Sequence, residues 1–292
     1  MSDGRTRLVS AAAGVAVLAI GVVLGSGPLR AALLGDTGER IDQLEAEVAT
    51  AQEAAEDAET RAATASDYVD TTAPTLLIGL LPETQVVVVA APGAPADALA
   101  AVEERLPLAG AVTAGSVALG DAWDEDATSE FRGALAEQVA PSLVGVETSE
   151  TAEVLAHAFV QGATGAAPTG ADLADIGAAG TDRGAVLWDL LEQSELAAGR
   201  PATSADAIIL VAGRGDATAS LVEAFAAYDA PVTVVGAPAA IQGETRRDDV
   251  ATVASSDWTL GSVTAVATVS ETLSGSLPHY RDGDVPAVLG VS

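Results

Sequence analysis

Hydrophobic and polar positions follow three successive regimes along this chain. From Leu8 to Leu29 the run LVSAAAGVAVLAIGVVLGSGPL carries no charge. Its roughly 22 residues, at about 1.5 Å each, cover a hydrocarbon core about 30 Å thick. The pattern predicts a transmembrane anchor at 8–29. Arg5 and Arg7 place residues 1–7 in the cytoplasm, with Arg30 on the far side opposing that bias, and everything beyond is then extracytoplasmic. A cleaved signal peptide begins the same way. Against it, the run exceeds the usual h-region, and Gly25-Ser26-Gly27-Pro28 offers no A-x-A cleavage site. Gly21 and Gly25 form a G-x-x-x-G pair through which two such helices can pack.

The second regime is heptadic and predicts a coiled-coil stalk over 30–72. One apolar row runs Leu34, Ile41, Val48, Ala55, Ala62, Val69; the other runs Leu44, Ala51, Ala58, Ala65. A seam sustained over several heptads needs a partner helix. The partner-binding positions are Leu34, Ile41, Leu44, Val48, Ala51 and Ala55. Alanine fills the second half of the seam and buries little, about 1 kcal/mol or less per site, so the first half must supply most of the association. Glu39, Asp42, Glu45, Glu47, Glu53, Glu56, Asp57 and Glu59 flank the seam with few cations among them. Self-association therefore sets like charge against like, and a basic helix of another protein is the alternative partner. A lone solvated spacer helix is the simpler reading of the same stretch.

The third regime, 73–292, alternates strand and helix. Pro74 and Pro82 bracket an apolar stretch that ends the helical pattern. Thr84–Ala91 (TQVVVVAA) is a β-branched run of the kind covered on both faces. A helix at Ala96–Leu106 and a returning strand at Ala111–Leu119 complete a β-α-β unit. Helices are expected at Thr128–Val139, Thr151–Gln161, Arg183–Leu196 and Ala217–Tyr228. Strands are expected at Ala207–Ala212, Val232–Val235, more weakly at Val250–Ala254, and at Val263–Val269. The stretch between Leu119 and Ala207 reads as a helical insertion, with Gly162–Gly180 loose. The class is α/β: a three-layer domain with a mainly parallel sheet.

Composition narrows the function. Acidic residues number 42 against 13 basic ones, for a net charge of −29. So anionic a chain is no nucleic-acid binder. Cysteine and lysine are absent, which removes disulfides, thiol nucleophiles, thiolate metal sites and Schiff bases. His157 and His279 are the only imidazoles and Met1 the only thioether, so they are weak metal candidates and soft-metal ligands are scarce. Gly213-Arg214-Gly215-Asp216 begins like a dinucleotide loop. Thr218 stands where the third glycine belongs, and Asp216 reads as a helix cap, so no nucleotide is expected. Asp121, Asp124, Glu125 and Asp126 beside Trp123 offer hard oxygen ligands without the spacing of a calcium loop, and read as a solvated acidic turn. No nucleophile elbow, H-E-x-x-H or P-loop occurs. No catalytic residue and no bound cofactor are expected.

The order of parts carries a resemblance. An anchor ending in Gly21-Val22-Val23-Leu24-Gly25-Ser26-Gly27, a heptad stalk from Leu34 to Val69, the strand TQVVVVAAP and a late AIILVAG strand together resemble the actinobacterial MctB-type family. That family includes mycobacterial copper transport protein B and the corynebacterial SteB proteins. The resemblance implies an envelope location and a role in copper transport or homeostasis, with an outer-membrane pore proposed for the family. Its SteB branch implies instead a scaffold that binds a partner and controls cell-wall hydrolysis at division. The residues themselves fit a single-pass scaffold, since amphipathic strands of about ten residues, as a membrane barrel needs, are missing.

Overall fold

A computed structural model describes residues 30–165, 167–169, 179–202, 205–213, 217–228, 231–243 and 247–290, with side chains placed from 43 in the first helix and from 183 onward in the helix that begins at 179. The anchor at 8–29, with Gly21 and Gly25, lies outside the described residues. Among the described residues no helix is long and apolar enough to cross a membrane. The chain divides into two units, Met1–Thr64 and Ala65–Ser292.

In the first unit the described structure is helical. Helix α1 runs Arg30–Leu77 without interruption, and its portion up to Thr64 is held by local contacts. Asp57 and Arg61 pair one turn apart at 3.7 Å, and Thr50, Thr60 and Thr64 return their hydroxyls to the carbonyls four residues back. Pairs this exposed add only tenths of a kcal/mol. Leu44 and Val48 remain 59% and 54% exposed.

The second unit is built on one sheet. Its strands are β1 (Gln85–Ala90), β2 (Val112–Leu119), β3 (Ala197–Arg200), β4 (Ala207–Val211), β5 (Val232–Gly236), β6 (Ala251–Ala254) and β7 (His279–Tyr280), in the order β3-β2-β1-β4-β5-β6-β7. All neighbours are parallel except the edge pair β2 and β3. The valine run of β1 is buried because each face meets a helix layer. Val87 and Val89 join a cluster with α3 (Ser129–Val139), α4 (Thr151–Thr164), α5 (Ala179–Gln193) and α6 (Ala217–Ala226). Val86 and Val88 face the end of α1, α2 (Ala96–Arg105) and α7 (Trp258–Leu273). In β4, Ile208 and Leu210 alternate with Ala207, Ile209 and Val211 in the same way. Each large aliphatic buried so contributes about 1.5–3 kcal/mol.

Three expectations are corrected. The stretch Val263–Val269, read as a strand, is the middle of α7. Every residue from Gly261 to Val269 is buried, so neither periodicity shows in the pattern, and length and capping decide. Asp257 caps the helix by accepting the Thr259 amide at 2.9 Å, and Thr268 and Thr272 satisfy their hydroxyls on carbonyls one turn back. Second, the segment between Leu119 and Ala207 is no insertion: α3, α4 and α5 form one face of the core, and their chain returns as β3. Third, α1 passes through Pro74 and ends at Leu77. A proline inside a helix removes one backbone bond and costs about 3 kcal/mol. Full burial of Ala73 and Leu77 offsets it.

Candidate functional site

In an open α/β sheet, ligands collect at the carboxyl edge where strand order reverses. Here that point lies between β1 and β4, and backbone fills it. Gly213, just past β4, sits so close to the loop after β1 that a Cβ there would stand 1.8 Å from the Pro92 carbonyl oxygen. Residues 214–216, including the expected Asp216 cap, lie outside the described residues. The first amide of α6, on Ala217, donates to Asp124 Oδ1 at 3.2 Å. A carboxylate thus occupies the end of the helix that would otherwise attract a phosphate.

Beside it opens a cleft of about 380 Å³ at the first residues of α3, α4 and α6, lined by Trp123, Asp124, Asp126, Ser129, Arg132 and Thr151 among others. The acidic turn read from sequence is here, and it is organised, not merely solvated. Arg132 Nη1 donates to the carbonyls of Ala122 at 2.9 Å and Glu125 at 2.6 Å and to Thr128 Oγ1 at 2.7 Å. Trp123 is buried edge-on against Phe159, with centroids 6.2 Å apart. This packing could not be read from sequence because it joins the turn at Asp121–Trp123 to side chains of α3 and α4.

A second cleft of about 360 Å³ contains His157, with Glu153, Glu223, Arg247 and Asp249 around it. His157 Nδ1 shares a hydrogen bond of 3.2 Å with the Tyr228 hydroxyl. Burial lowers its pKa, and the carboxylates of Glu153 and Glu223 partly oppose that. Burial likewise raises Tyr228. Arg247 grips Asp249 with two bonds of 2.9 Å, which holds that carboxyl below its ordinary range. His279 lies elsewhere, on edge strand β7, with Nδ1 2.9 Å from Thr252 Oγ1. The two imidazoles are thus separately engaged. Among the described residues no group of three or more histidine or acidic side chains converges as a metal cage.

Of the stalk positions, Leu44, Val48, Ala51 and Ala55 are exposed on α1; the side chains of Leu34 and Ile41 lie outside the described residues. The model of a family described as copper transport outer membrane protein, MctB, matches residues 1–283. The chain belongs to the MctB family. No individual curated protein matches it. The MctB match takes in residues 8–29, the long helix and most of the α/β unit together.

Proposed function

We propose that the chain serves copper homeostasis in the cell envelope as a tethered, non-catalytic scaffold. Residues 8–29 hold it in the membrane, α1 recruits a protein partner, and copper is the cargo of the system it helps assemble. The observation that carries this reading is the pair Leu44 and Val48, more than half exposed on a helix of 48 residues. Leu44 and Val48 lie one turn apart, Ala51 and Ala55 continue the row, and Glu45 and Glu47 flank it. Apolar side chains in such a row favour a second helix, and the acidic flank favours a basic one. The family description supplies the copper and envelope context. A copper channel through this chain finds less support, since its only two imidazoles are separately engaged.

The test is complementation of a deletion strain with wild-type chain or with I41D/L44D/V48D. Wild type is expected to restore copper tolerance, and the triple variant, present at equal level, to fail. Full restoration by the triple variant sinks the stalk reading. Restored copper tolerance with defective cell separation would move the partner from copper handling to wall hydrolysis.

A further inference from the structure

We infer that the last turns of α1 before Pro74 are a latch: residues 66–73 are held against the α/β unit by two polar contacts that open without unfolding it, with Pro74 as the hinge. After the hinge the helix is rooted, since Leu77 and Leu81 are fully buried. Before it, Ala73 is buried and Val69 partly so, and the remaining hold is polar. Ser66 Oγ donates to Asp257 Oδ2 at 3.1 Å, and Arg105 Nη2 donates to Asp70. Pro74 has no amide to donate to the Asp70 carbonyl, so the helix bends most easily there.

The Asp70–Arg105 contact is poorly made for a purely structural one. The Arg105 side chain is 9% exposed, and its Nε finds no acceptor. The next carboxylate, Glu104, stays 3.9 Å from Nη1. A nearly buried guanidinium whose Nε has no acceptor leaves part of its desolvation uncompensated. Asp70 itself is 51% exposed and open to competition from solvent or an arriving cationic side chain. One half of the pair is fixed in the core and the other is reachable, which is the arrangement of a contact that is made and broken. What the motion serves, regulation of the partner helix, rests on the stalk reading; the motion itself does not.

Hydrogen exchange on the full-length chain in detergent micelles, with no partner present, tests the latch apart from that reading. D70N is expected to speed exchange of amides 66–73 by about tenfold or more, and S66A by a smaller factor, while amides 86–90 in β1 stay protected. P74A restores the missing bond and slows exchange of the same segment. Unchanged exchange in both D70N and P74A overturns the inference, as does loosening that spreads to β1, which would make the pair merely structural. Should D70N not fold, S66A and P74A decide alone.

Discussion

Asp124 Oδ1 accepts the amide of Ala217 at 3.2 Å, closing the start of α6 with a carboxylate that arrives from 93 residues earlier. The contact joins the acidic turn after β2 to the helix after β4, and it fills the anion seat at the carboxyl edge of the sheet. A cap of this kind is worth about 0.5–2 kcal/mol. D124A is therefore expected to lower the unfolding free energy by about 1 kcal/mol, with D124N losing less because it keeps an acceptor. Urea denaturation followed by tryptophan fluorescence measures it; equal stability of D124A and wild type would show that the bond contributes nothing.

What sequence could reveal follows the range of the interactions. Strands β1, β4 and β5 are legible because valine and isoleucine runs bounded by glycine and proline are local signals, and β2 is legible from its place as the return of a β-α-β unit. The middle of helix α7 reads as a strand in the sequence because burial on all sides erases the difference between a period of 2 and a period of 3.6. Strand β3 has no signal of its own: Ala197-Ala198-Gly199-Arg200 is extended only because it pairs with Ser116–Leu119. The same holds at the site. The acidic cluster and His157 stand out in the sequence, but the partners that define them, Ala217, Arg132 and Tyr228, are brought in by tertiary packing. Asp216, the adjacent cap candidate for α6, lies outside the described residues, and the contact from Asp124, 93 residues away in the chain, has no local signal.

Gly213 offers a sharp test of the sealed switch point. A methyl group there would lie 1.8 Å from the Pro92 oxygen and 2.9 Å from the Ala94 nitrogen, so the loops after β1 and β4 must separate to admit it. G213A is expected to cost about 3 kcal/mol or more. Gly133 in α3 is the control. A Cβ there meets nothing within 4 Å, and G133A is expected to stabilise by about 0.5–1 kcal/mol through helix propensity. Thermal unfolding of the two variants side by side checks the contrast; a mild G213A would mean that the edge can open.

His157 sets a pH dependence whose sign is fixed by its surroundings. Burial lowers its pKa in the folded state below the ordinary 6.5, against the smaller opposing effect of Glu153 and Glu223. As pH falls, the unfolded chain takes up the proton first. The stability is thus fully present above 6.5 and lost progressively as pH falls toward the lowered folded value. Asp249 and Asp282 are held below 3.8, so their contributions fade only in stronger acid. Urea midpoints between about pH 7.5 and 5.5 should fall for wild type and stay flatter for H157Q. Identical slopes would exclude His157 as the source.

Copper affinity separates a scaffold from a carrier. Copper(II) binds imidazole and carboxylate, copper(I) prefers sulfur, and the chain holds no cysteine and one methionine, at position 1. Each histidine already engages Nδ1, with Tyr228 in one case and Thr252 in the other, which leaves at most Nε2 on each. The imidazoles lie on α4 and β7, apart from one another, so neither can complete the other's coordination. A site of one imidazole with carboxylates and water binds weakly. Titration of the full-length chain in detergent with copper(II) at neutral pH should give a dissociation constant above about 1 µM, unchanged in H279A and weakened further in H157A if Glu153 and Glu223 share the ion. Binding tighter than that, abolished in H157A/H279A, would mean that the two histidines meet in a state other than this one and that the chain carries copper itself.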